Sequence, residues 1–365
     1  MFILVLSLLG LFSGYNGRVK IKDRVIIQGM AVDVADEGYS LTVQTYKPSS
    51  LSEPKNEYEL HTADGKTLFE ALTAVNTITG QQAFFSNLQI IIISREAAEK
   101  GLADLLDFFA RYSKIRKSVT VVGSECPAAE LLTVDSESGL LPAERINKIM
   151  SYGTDASNYD GSKLIDITER YLSDASDVFL PVLDVREDDN EKTVKICGVL
   201  CFRGRAPAGM ISPREAVGFN WISGYDSRQS ILLDTEKALF SLSVQSVKCK
   251  IDAKIENGLP VITIGLSVMC NLNEVGAKGG PVSEDDIKGL SPQLSKQIEG
   301  MAKDSVDAAF FGLSSDIFEF SKIIRKKFPD YFYGEAFGQI PKTDWRVEIS
   351  AGADIYRVGK TNRTV

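Results

Sequence analysis

The two longest alternating stretches of the sequence, residues 241–255 and 260–272, place the strongest constraint on its fold. Apolar and polar side chains that alternate along a segment are typical of a strand with one buried face. The two stretches are separated by Glu256-Asn257-Gly258, and Asn-Gly is the strongest short-range signal for a tight turn between antiparallel strands. The sequence therefore predicts a long β-hairpin.

This hairpin belongs to a predicted C-terminal α+β domain, residues 226–365. A helix is expected to begin at Ser291-Pro292, because proline is favoured in the first turn of a helix. A second helix, which stops at Pro329, is predicted from apolar residues at helical spacing, namely Ile317, Phe320, Ile324 and Phe328. The alternating residues 345–358 are expected to return the chain to the sheet.

The N-terminal domain is predicted over residues 18–134 and begins with a hairpin. Its two strand-like segments, residues 25–34 and 39–46, flank a turn composition that contains Gly38. A polar connection, residues 47–63, is expected to follow.

Two helices and two strands complete this domain. Asp64 is the predicted cap of the first helix, which carries apolar residues at helical spacing. Residues 88–93 are almost all apolar and branched, which predicts a central strand buried on both faces. Ser94 is expected to begin the second helix, and residues 119–122 form another strand. The resulting β-β-α-β-α-β order indicates an α+β layer and not a doubly wound sheet.

A middle domain is predicted over residues 135–225. Its predicted elements are two helices, two strands around an acidic turn and a third helix, at residues 145–152, 164–172, 179–185, 194–202 and 212–221. Ser212 should cap the third helix, with Pro213 at its first position. The predicted fold class is therefore α+β, with three mixed domains built mainly on antiparallel sheets.

The composition is that of a globular protein without a nucleic-acid-binding surface. The 365 residues are 44% apolar and 25% charged, which suffices for a sizeable core without disulfides or metals. The formal net charge is −8, whereas phosphate contacts need clustered lysine and arginine.

The sequence offers little for catalysis. His61 is the single histidine, which excludes sites built from several histidines, and its polar surroundings predict a surface side chain. The five cysteines are too scattered for a disulfide scaffold, and the two that are close in sequence, Cys197 and Cys201, are expected to be buried small residues. The glycine-rich residues 276–280 lack the context of a phosphate-binding loop. We predict no catalytic, cofactor-binding or metal-binding residue, no cofactor and no enzyme activity.

The N-terminal residues 1–17 form a signal-like apolar segment. As a helix, residues 2–12 would span about 16 Å, roughly half the hydrocarbon thickness of a bilayer, so they match an export signal better than a transmembrane helix. No lysine or arginine precedes the apolar run, and Arg18, Lys20, Lys22 and Arg24 follow it.

Several blocks resemble a known family, in the same order along nearly the whole chain. Residues 83–94 (AFFSNLQIIIIS) and 101–109 (GLADLLDFF) look like its F-F-G-H-L-x-V-I-I-I-S and G-L-x-D-x-L-D-F-F patterns, and residues 65–72 (GKTLFEAL) match G-K-T-I-F-E-A-L. Residues 21–33, Asp316-Ile317-Phe318, residues 325–329 and Trp345 are similar to further blocks of the same family. The sequence thus resembles the C-subunit family of spore nutrient-germinant receptors, the Ger(x)C proteins.

The sequence departs from the family pattern at several positions. Ser86 and Asn87 replace the family's Gly-His, and Glu319 and Ser321 replace glycines. The family carries G-C-W after the apolar run, where this chain has Tyr15 at the cysteine position. Only cysteine supplies the sulfur for diacylglyceryl attachment, so a lipid anchor is doubtful. Membrane retention is then expected to depend on an uncleaved apolar segment and on partner proteins.

The resemblance implies a non-enzymatic subunit of a three-part receptor on the outer face of the spore inner membrane. Its implied partners are two integral membrane subunits, of A and B type, and the complex commits the spore to germinate in response to amino acids, sugars or nucleosides. Two alternatives stay open. One is a secreted small-molecule-binding module that acts without receptor partners, and the other is a hydrolase that uses His61 or an unrecognised carboxylate pair.

Overall fold

The structure is a computed structural model that describes residues 23–47, 57–135, 139–152, 160–188, 191–225, 229–278, 286–287 and 289–357. Helices combine with mixed, mostly antiparallel sheets, which confirms the predicted α+β class. The helices are α1 (Leu68–Thr79), α2 (Arg95–Arg111), α3 (Ala128–Leu131), α4 (Pro142–Tyr152), α5 (Leu164–Leu172), α6 (Pro213–Ser223), α7 (Ser291–Val306), α8 (Phe320–Lys327) and α9 (Pro329–Phe332). The strands are β1 (Arg24–Val34), β2 (Tyr39–Lys47), β3 (Glu57–Gly65), β4 (Gln82–Phe84), β5 (Ile90–Ser94), β6 (Thr120–Ser124), β7 (Phe179–Asp188), β8 (Glu191–Arg203), β9 (Ala206–Ile211), β10 (Ser230–Asp234), β11 (Ala238–Glu256), β12 (Leu259–Ala277) and β13 (Arg346–Arg357).

Among the described residues, the larger sheet has nine strands. Eight follow the order β3-β2-β1-β5-β6-β7-β8-β9, and the short β4 pairs with the first residues of β1. The central strands β1, β5, β6 and β7 are parallel, whereas the outer pairs on both sides are antiparallel. Parallel neighbours need a crossover connection, and α2 supplies it between β5 and β6.

The centre of this sheet is buried on both faces, as the sequence predicts. All four isoleucines of β5 have no exposed surface. Ile91 and Ile93 belong to a core shared with α1, α2 and α5, and Ile90 and Ile92 belong to a second core shared with α3 and α4. A strand covered on both faces tolerates only apolar side chains, which explains its unbroken run.

The smaller sheet has the order β10-β11-β12-β13 and contains the predicted hairpin. Asn257 and Gly258 have φ values of 51° and 80°, the positive values that a type I′ turn requires at both central positions. The second core continues from the larger sheet through Trp221 of α6 to Ile264 of β12. The two sheets therefore share one apolar interior.

The predicted polar connection over residues 47–63 was wrong in its second half, because β3 occupies Glu57–Gly65 and pairs antiparallel with β2. β3 is an edge strand with a largely polar sequence, and its stability comes from backbone pairing that composition does not reveal. Asp64 lies within this strand. The cap of α1 is Thr67, whose hydroxyl accepts from the Glu70 N–H at 3.2 Å.

Two other predicted caps are confirmed. Ser94 caps α2, and its hydroxyl accepts from the Ala97 N–H at 3.3 Å. Ser212 and Glu215 form a reciprocal capping box at α6, with Pro213 at the first helical position.

The predicted helix through Ile317 and Phe328 is shorter than expected, because α8 covers only Phe320–Lys327. The Asp316 carboxylate accepts from the N–H groups of Phe320 at 2.9 Å and Ser321 at 2.7 Å. Glu319 has a φ of 63°, outside the helical region. A buried cap therefore starts the helix, and Ile317 is buried in the preceding irregular segment.

The larger sheet crosses the predicted domain boundary at residue 134, because β1–β6 come from the predicted N-terminal domain and β7–β9 from the middle domain. Pairing in a sheet does not measure independent folding. The division at residues 134 and 225 stays a prediction.

A buried polar joint, formed by Asp177, Asp316 and Lys342, links the larger sheet to the C-terminal segment. The Asp177 N–H donates to the Asp316 carbonyl at 3.1 Å, and the Asp316 N–H donates back to Asp177 Oδ2 at 2.6 Å. Lys342 Nζ donates to the same Oδ2 at 2.9 Å, and the Gly204 N–H donates to Asp177 Oδ1 at 2.6 Å. Asp177 and Asp316 are 8% and 2% exposed, so these bonds are largely sheltered from water.

Asp177→Ala should lower the free energy of unfolding by about 3 kcal/mol, because it leaves a partly buried ammonium and two N–H groups without their acceptor. The matched control is Asp174→Ala, three residues earlier. Asp174 pairs with Arg325 but has a 58% exposed side chain, so its loss should cost less than about 1 kcal/mol. Urea unfolding of both variants measures the difference, and similar costs would contradict the joint's role.

Helices α6 and α7 make a close contact that only glycine permits. A Cβ on Gly218 would lie 2.5 Å from the Met301 carbonyl oxygen and 2.8 Å from the Ala302 Cα. Gly300, on the facing α7, has open space around its missing Cβ.

The same glycine-to-alanine change should therefore alter the free energy of unfolding in opposite directions on the two helices. We expect Gly218→Ala to destabilise the protein by about 1–3 kcal/mol through overpacking, and Gly300→Ala to stabilise it by up to about 1 kcal/mol through helix propensity. Thermal unfolding of the two variants compares them directly. A Gly218→Ala protein as stable as the wild type would show that the helices can separate without cost.

Candidate functional site

His61 lies on the edge strand β3, opposite Val43 of β2. Its side chain is 19% exposed, and Nε2 lies 3.6 Å from Glu59 Oε2 on the same strand. This contact lies at the edge of the larger sheet. The structure thus gives His61 a carboxylate neighbour but does not bring it into either of the two clefts described below.

The five cysteines are free thiols. Cys201 and Cys270 are buried, and burial raises the pKa of Cys201 to about 12 and that of Cys270 to about 11. Thiols with such pKa values stay protonated near neutral pH and are weak nucleophiles. Within the described ranges, the structure contains no group of three or more His, Cys, Asp or Glu side chains that could hold a metal ion.

The α1–α2 pocket lies where the first turn of α1 meets the second half of α2. Its volume is about 490 Å³. It is lined by Tyr39, Lys66, Thr67, Leu68, Phe69, Asp104, Asp107, Phe108, Arg111 and Tyr112.

Aromatic rings form one wall of this pocket. Phe108 stacks on Tyr112 with ring centroids 5.4 Å apart, and Phe85 meets the edge of Tyr112 at 5.5 Å. Phe69 lies 6.3 Å from the same ring and is 59% exposed. Burial raises the pKa of the Tyr112 phenol, which therefore stays neutral at physiological pH. The pocket presents an apolar aromatic surface to solvent.

Charged side chains surround these rings in pairs. Arg111 bonds Asp107 at 2.8 Å, and Lys66 lies 3.2 Å from Glu37. Burial and the nearby Asp104 carboxylate raise the pKa of Tyr39. An apolar centre with a charged rim is the arrangement of protein-binding patches.

Most of the pocket lining comes from residues 65–72 and 101–109, two of the blocks that carry the family resemblance, and Tyr39, Arg111 and Tyr112 complete it. Sequence reasoning identified both blocks but did not predict that they meet. The only available signal was their shared aromatic and acidic composition, because the contact depends on the packing of α1 against α2.

A second cleft, the α5–α8 cleft, has a volume of about 800 Å³ and a strongly charged lining. Arg170 is its most buried charge, 9% exposed. Its guanidinium donates to the Ile317 carbonyl and to the Tyr225 hydroxyl, both at 3.1 Å, and lies 5.0 Å from the Phe179 ring centroid. Arg170 therefore holds the cleft floor together.

The remaining cations of the α5–α8 cleft pair with its carboxylates. Lys322 lies 3.1 Å from Glu319, and Arg325 bonds Asp174. A ligand that bound to Lys322 or Arg325 would have to compete with these ion pairs.

The remaining sequence features lie in different parts of the structure, and some lie outside the described residues. Lys237 Nζ lies 2.6 Å from Asp286 Oδ1. The glycine-rich residues 276–280 begin inside β12, because this strand continues to Ala277. The apolar residues 2–12, Tyr15 and the last strand residue predicted, Val358, lie outside the described residues. Within the part of the chain that is described, no helix is long and apolar enough to cross a membrane.

Two family matches together cover most of the chain. Residues 17–185 match the spore germination protein N-terminal domain, and residues 197–359 match the spore germination B3/GerAC-like C-terminal domain. The chain is 23% identical to spore germination protein B3 of Bacillus subtilis (strain 168), over 96% of this chain and 95% of that protein.

The fold is similar to that of the GerBC crystal structure. The TM-score is 0.56 at 18% sequence identity, and the match covers 90% of this chain and 96% of the solved one. At this identity the likeness concerns the fold alone. With the two domain matches, which follow the order of the motif blocks, the chain belongs to the GerAC-like C-subunit family of spore germination proteins.

Proposed function

We propose that this chain is a non-enzymatic C-subunit of a nutrient-germinant receptor. It acts on the outer face of the spore inner membrane and is needed for receptor assembly and germination. The observation that carries the proposal is the match of both germination-protein domains along one chain. The high thiol pKa values of Cys201 and Cys270 and the paired charges of the α5–α8 cleft agree with a role in binding and not in chemistry.

The α1–α2 pocket is the surface that we assign to a partner subunit of the integral membrane type. A large side chain such as Phe69, more than half exposed beside further aromatic rings, loses contact with water when a partner covers it. Aromatic anchors at the centre of an interface often carry much of its binding energy. The ion pairs at the rim can then orient an incoming partner.

Membrane retention is proposed to depend on the same contacts and on the apolar residues 2–12. Tyr15 cannot carry the diacylglyceryl group of a lipoprotein. A short apolar segment without such an anchor binds a bilayer weakly. Partner subunits would therefore have to supply the rest of the free energy that holds the chain at the membrane.

Phe69→Ala should reduce recovery of the chain in the spore membrane fraction and slow nutrient-triggered germination, because it removes the exposed anchor of the pocket. Loss of one well-packed aromatic anchor costs about 2 kcal/mol or more, which corresponds to a roughly 30-fold weaker association. Membrane fractionation of spores that contain the partner subunits, and a germination assay, measure the two effects.

The matched control for Phe69→Ala is Ile78→Ala. Ile78 lies on the same helix and is 60% exposed, but it does not line the pocket. We expect it to leave membrane recovery and germination unchanged. Equal effects of the two substitutions, or none from Phe69→Ala, would count against the pocket as the partner-binding surface.

A second candidate function is small-molecule binding by the isolated chain in the α5–α8 cleft. Its volume of about 800 Å³ lies within the range of ligand pockets, roughly 300–1,000 Å³. The ion pairs of Lys322 and Arg325 oppose this function, because a polar ligand would have to break them.

Isothermal calorimetry of the purified chain with amino acids, sugars and nucleosides at millimolar concentration distinguishes the two functions. The receptor-subunit proposal predicts no binding heat without the partner subunits. Binding heat that disappears in Lys322→Ala and persists in Lys327→Ala, a lysine of the same helix outside the cleft, would favour the independent binding module.

A further inference from the structure

At the carboxyl-terminal end of the parallel strands in the larger sheet, two cations are neutralised by carboxylates. At the carboxyl-terminal end, Arg95 bonds Glu99 at 2.8 Å and Glu125 at 2.7 Å. Lys66 lies 3.2 Å from Glu37, which follows β1. Arg95 and Lys66 are thus compensated by carboxylates, whereas Lys100 at the same end donates to the Gly38 carbonyl at 2.8 Å.

The cations at the amino-terminal end contact rings and carbonyl oxygens instead. Arg24, the first residue of β1, lies 4.7 Å from the Phe84 ring centroid. Lys114, in the loop before β6, lies 5.7 Å from the Tyr112 ring centroid, and Arg116 donates to the Leu88 carbonyl at 3.3 Å. Among the described residues, none of these three cations forms an ion pair with a carboxylate. We call Arg24, Lys114 and Arg116 the basic end.

The members of the basic end lie close together. Arg24 and Lys114 line one depression of about 270 Å³ with residues 82–86, and this lining contains no acidic side chain. Arg116 contacts the loop between β4 and β5, which borders the same depression. Lys114 and Arg116 are exposed, so their charges can act on another surface.

The sequence before the basic end contains further basic and apolar residues. Arg18, Lys20 and Lys22 directly precede β1, and the apolar residues 2–12 come before them. The ten residues between this apolar run and Asp23 can span at most about 35 Å, so the chain connects an apolar segment to the basic end over a short distance.

We infer that the basic end is the surface that this protein applies to an anionic phospholipid bilayer. Each lysine or arginine held near an anionic leaflet contributes about 1 kcal/mol of attraction. Phe84 places an aromatic ring beside Arg24, which suits the boundary between headgroups and acyl chains. The inference rests on the membrane association proposed above and adds the orientation of the molecule.

The protein is negatively charged overall, so a local cluster of cations without carboxylate partners matters for binding to an anionic surface. A chain with a formal net charge of −8 is repelled as a whole by an anionic surface, so attraction has to come from a local cluster of uncompensated cations. The apolar residues 2–12, which precede the basic end in the sequence, favour a bilayer over a nucleic acid as the partner, because DNA offers no apolar phase.

Co-sedimentation of the full chain with vesicles tests this inference. We expect it to bind vesicles that contain phosphatidylglycerol more tightly than vesicles of phosphatidylcholine alone, and the preference should fall as salt is raised. The double variant Lys114→Glu/Arg116→Glu should bind the phosphatidylglycerol vesicles at least about tenfold more weakly.

The matched control is Lys248→Glu/Lys250→Glu, which reverses two exposed lysines on β11 in the smaller sheet. It makes the same change in net charge and should keep wild-type vesicle binding. If the double variant fails to fold, Lys114→Glu alone can be used, because it leaves the Arg116 bond to the Leu88 carbonyl intact. This single variant should weaken vesicle binding several-fold.

Equal binding of the wild type to the two vesicle types would overturn the inference. So would an equal loss in the control variant, or binding to duplex DNA without any vesicle preference. The receptor-subunit proposal is tested separately, because germination of spores that carry Phe69→Ala depends on the α1–α2 pocket and not on the basic end.

Discussion

The pairing of Asp177 with Asp316 is the contact on which the arrangement of the molecule depends. Each residue donates its N–H to an oxygen of the other, and Lys342 neutralises a carboxylate that would otherwise be buried without a counter-charge. Burial raises the pKa of Asp316, while Lys342 and the N–H groups of Ser321 and Phe320 act in the opposite direction. The backbone and the side chain of Asp177 are thus both held by hydrogen bonds where the larger sheet meets the C-terminal segment.

This joint also positions the α5–α8 cleft. Asp316 caps α8 and accepts from the first residues of that helix, while Asp177 follows α5 and begins the approach to β7. Asp316 thus orients α8 directly, whereas α5 is tied to the same segment by the bond from Arg170 to the Ile317 carbonyl. The α1–α2 pocket and the basic end lie on the other part of the larger sheet, so partner binding and membrane contact can use surfaces that do not disturb the joint.

Local signals predicted the elements that depend on neighbours in sequence. The β11–β12 hairpin followed from Asn257-Gly258, the buried β5 from four isoleucines, and the α2 and α6 caps from Ser94 and Ser212. The predictions failed where contacts between distant segments determine whether a strand forms or where a helix begins. β3 is a polar edge strand that exists through pairing with β2, and α8 begins late because Asp316, held by Asp177, supplies its cap.

The sequence by itself determined the family, the α+β class and the two blocks that form the α1–α2 pocket, because these depend on residue order and local periodicity. Only the tertiary structure decided that the blocks meet in one aromatic pocket, that Asp177 reaches Asp316 across 139 residues of chain, and that Arg24, Lys114 and Arg116 share one end of a sheet. Such contacts join segments that are distant along the chain, and their formation depends on how buried faces pack together.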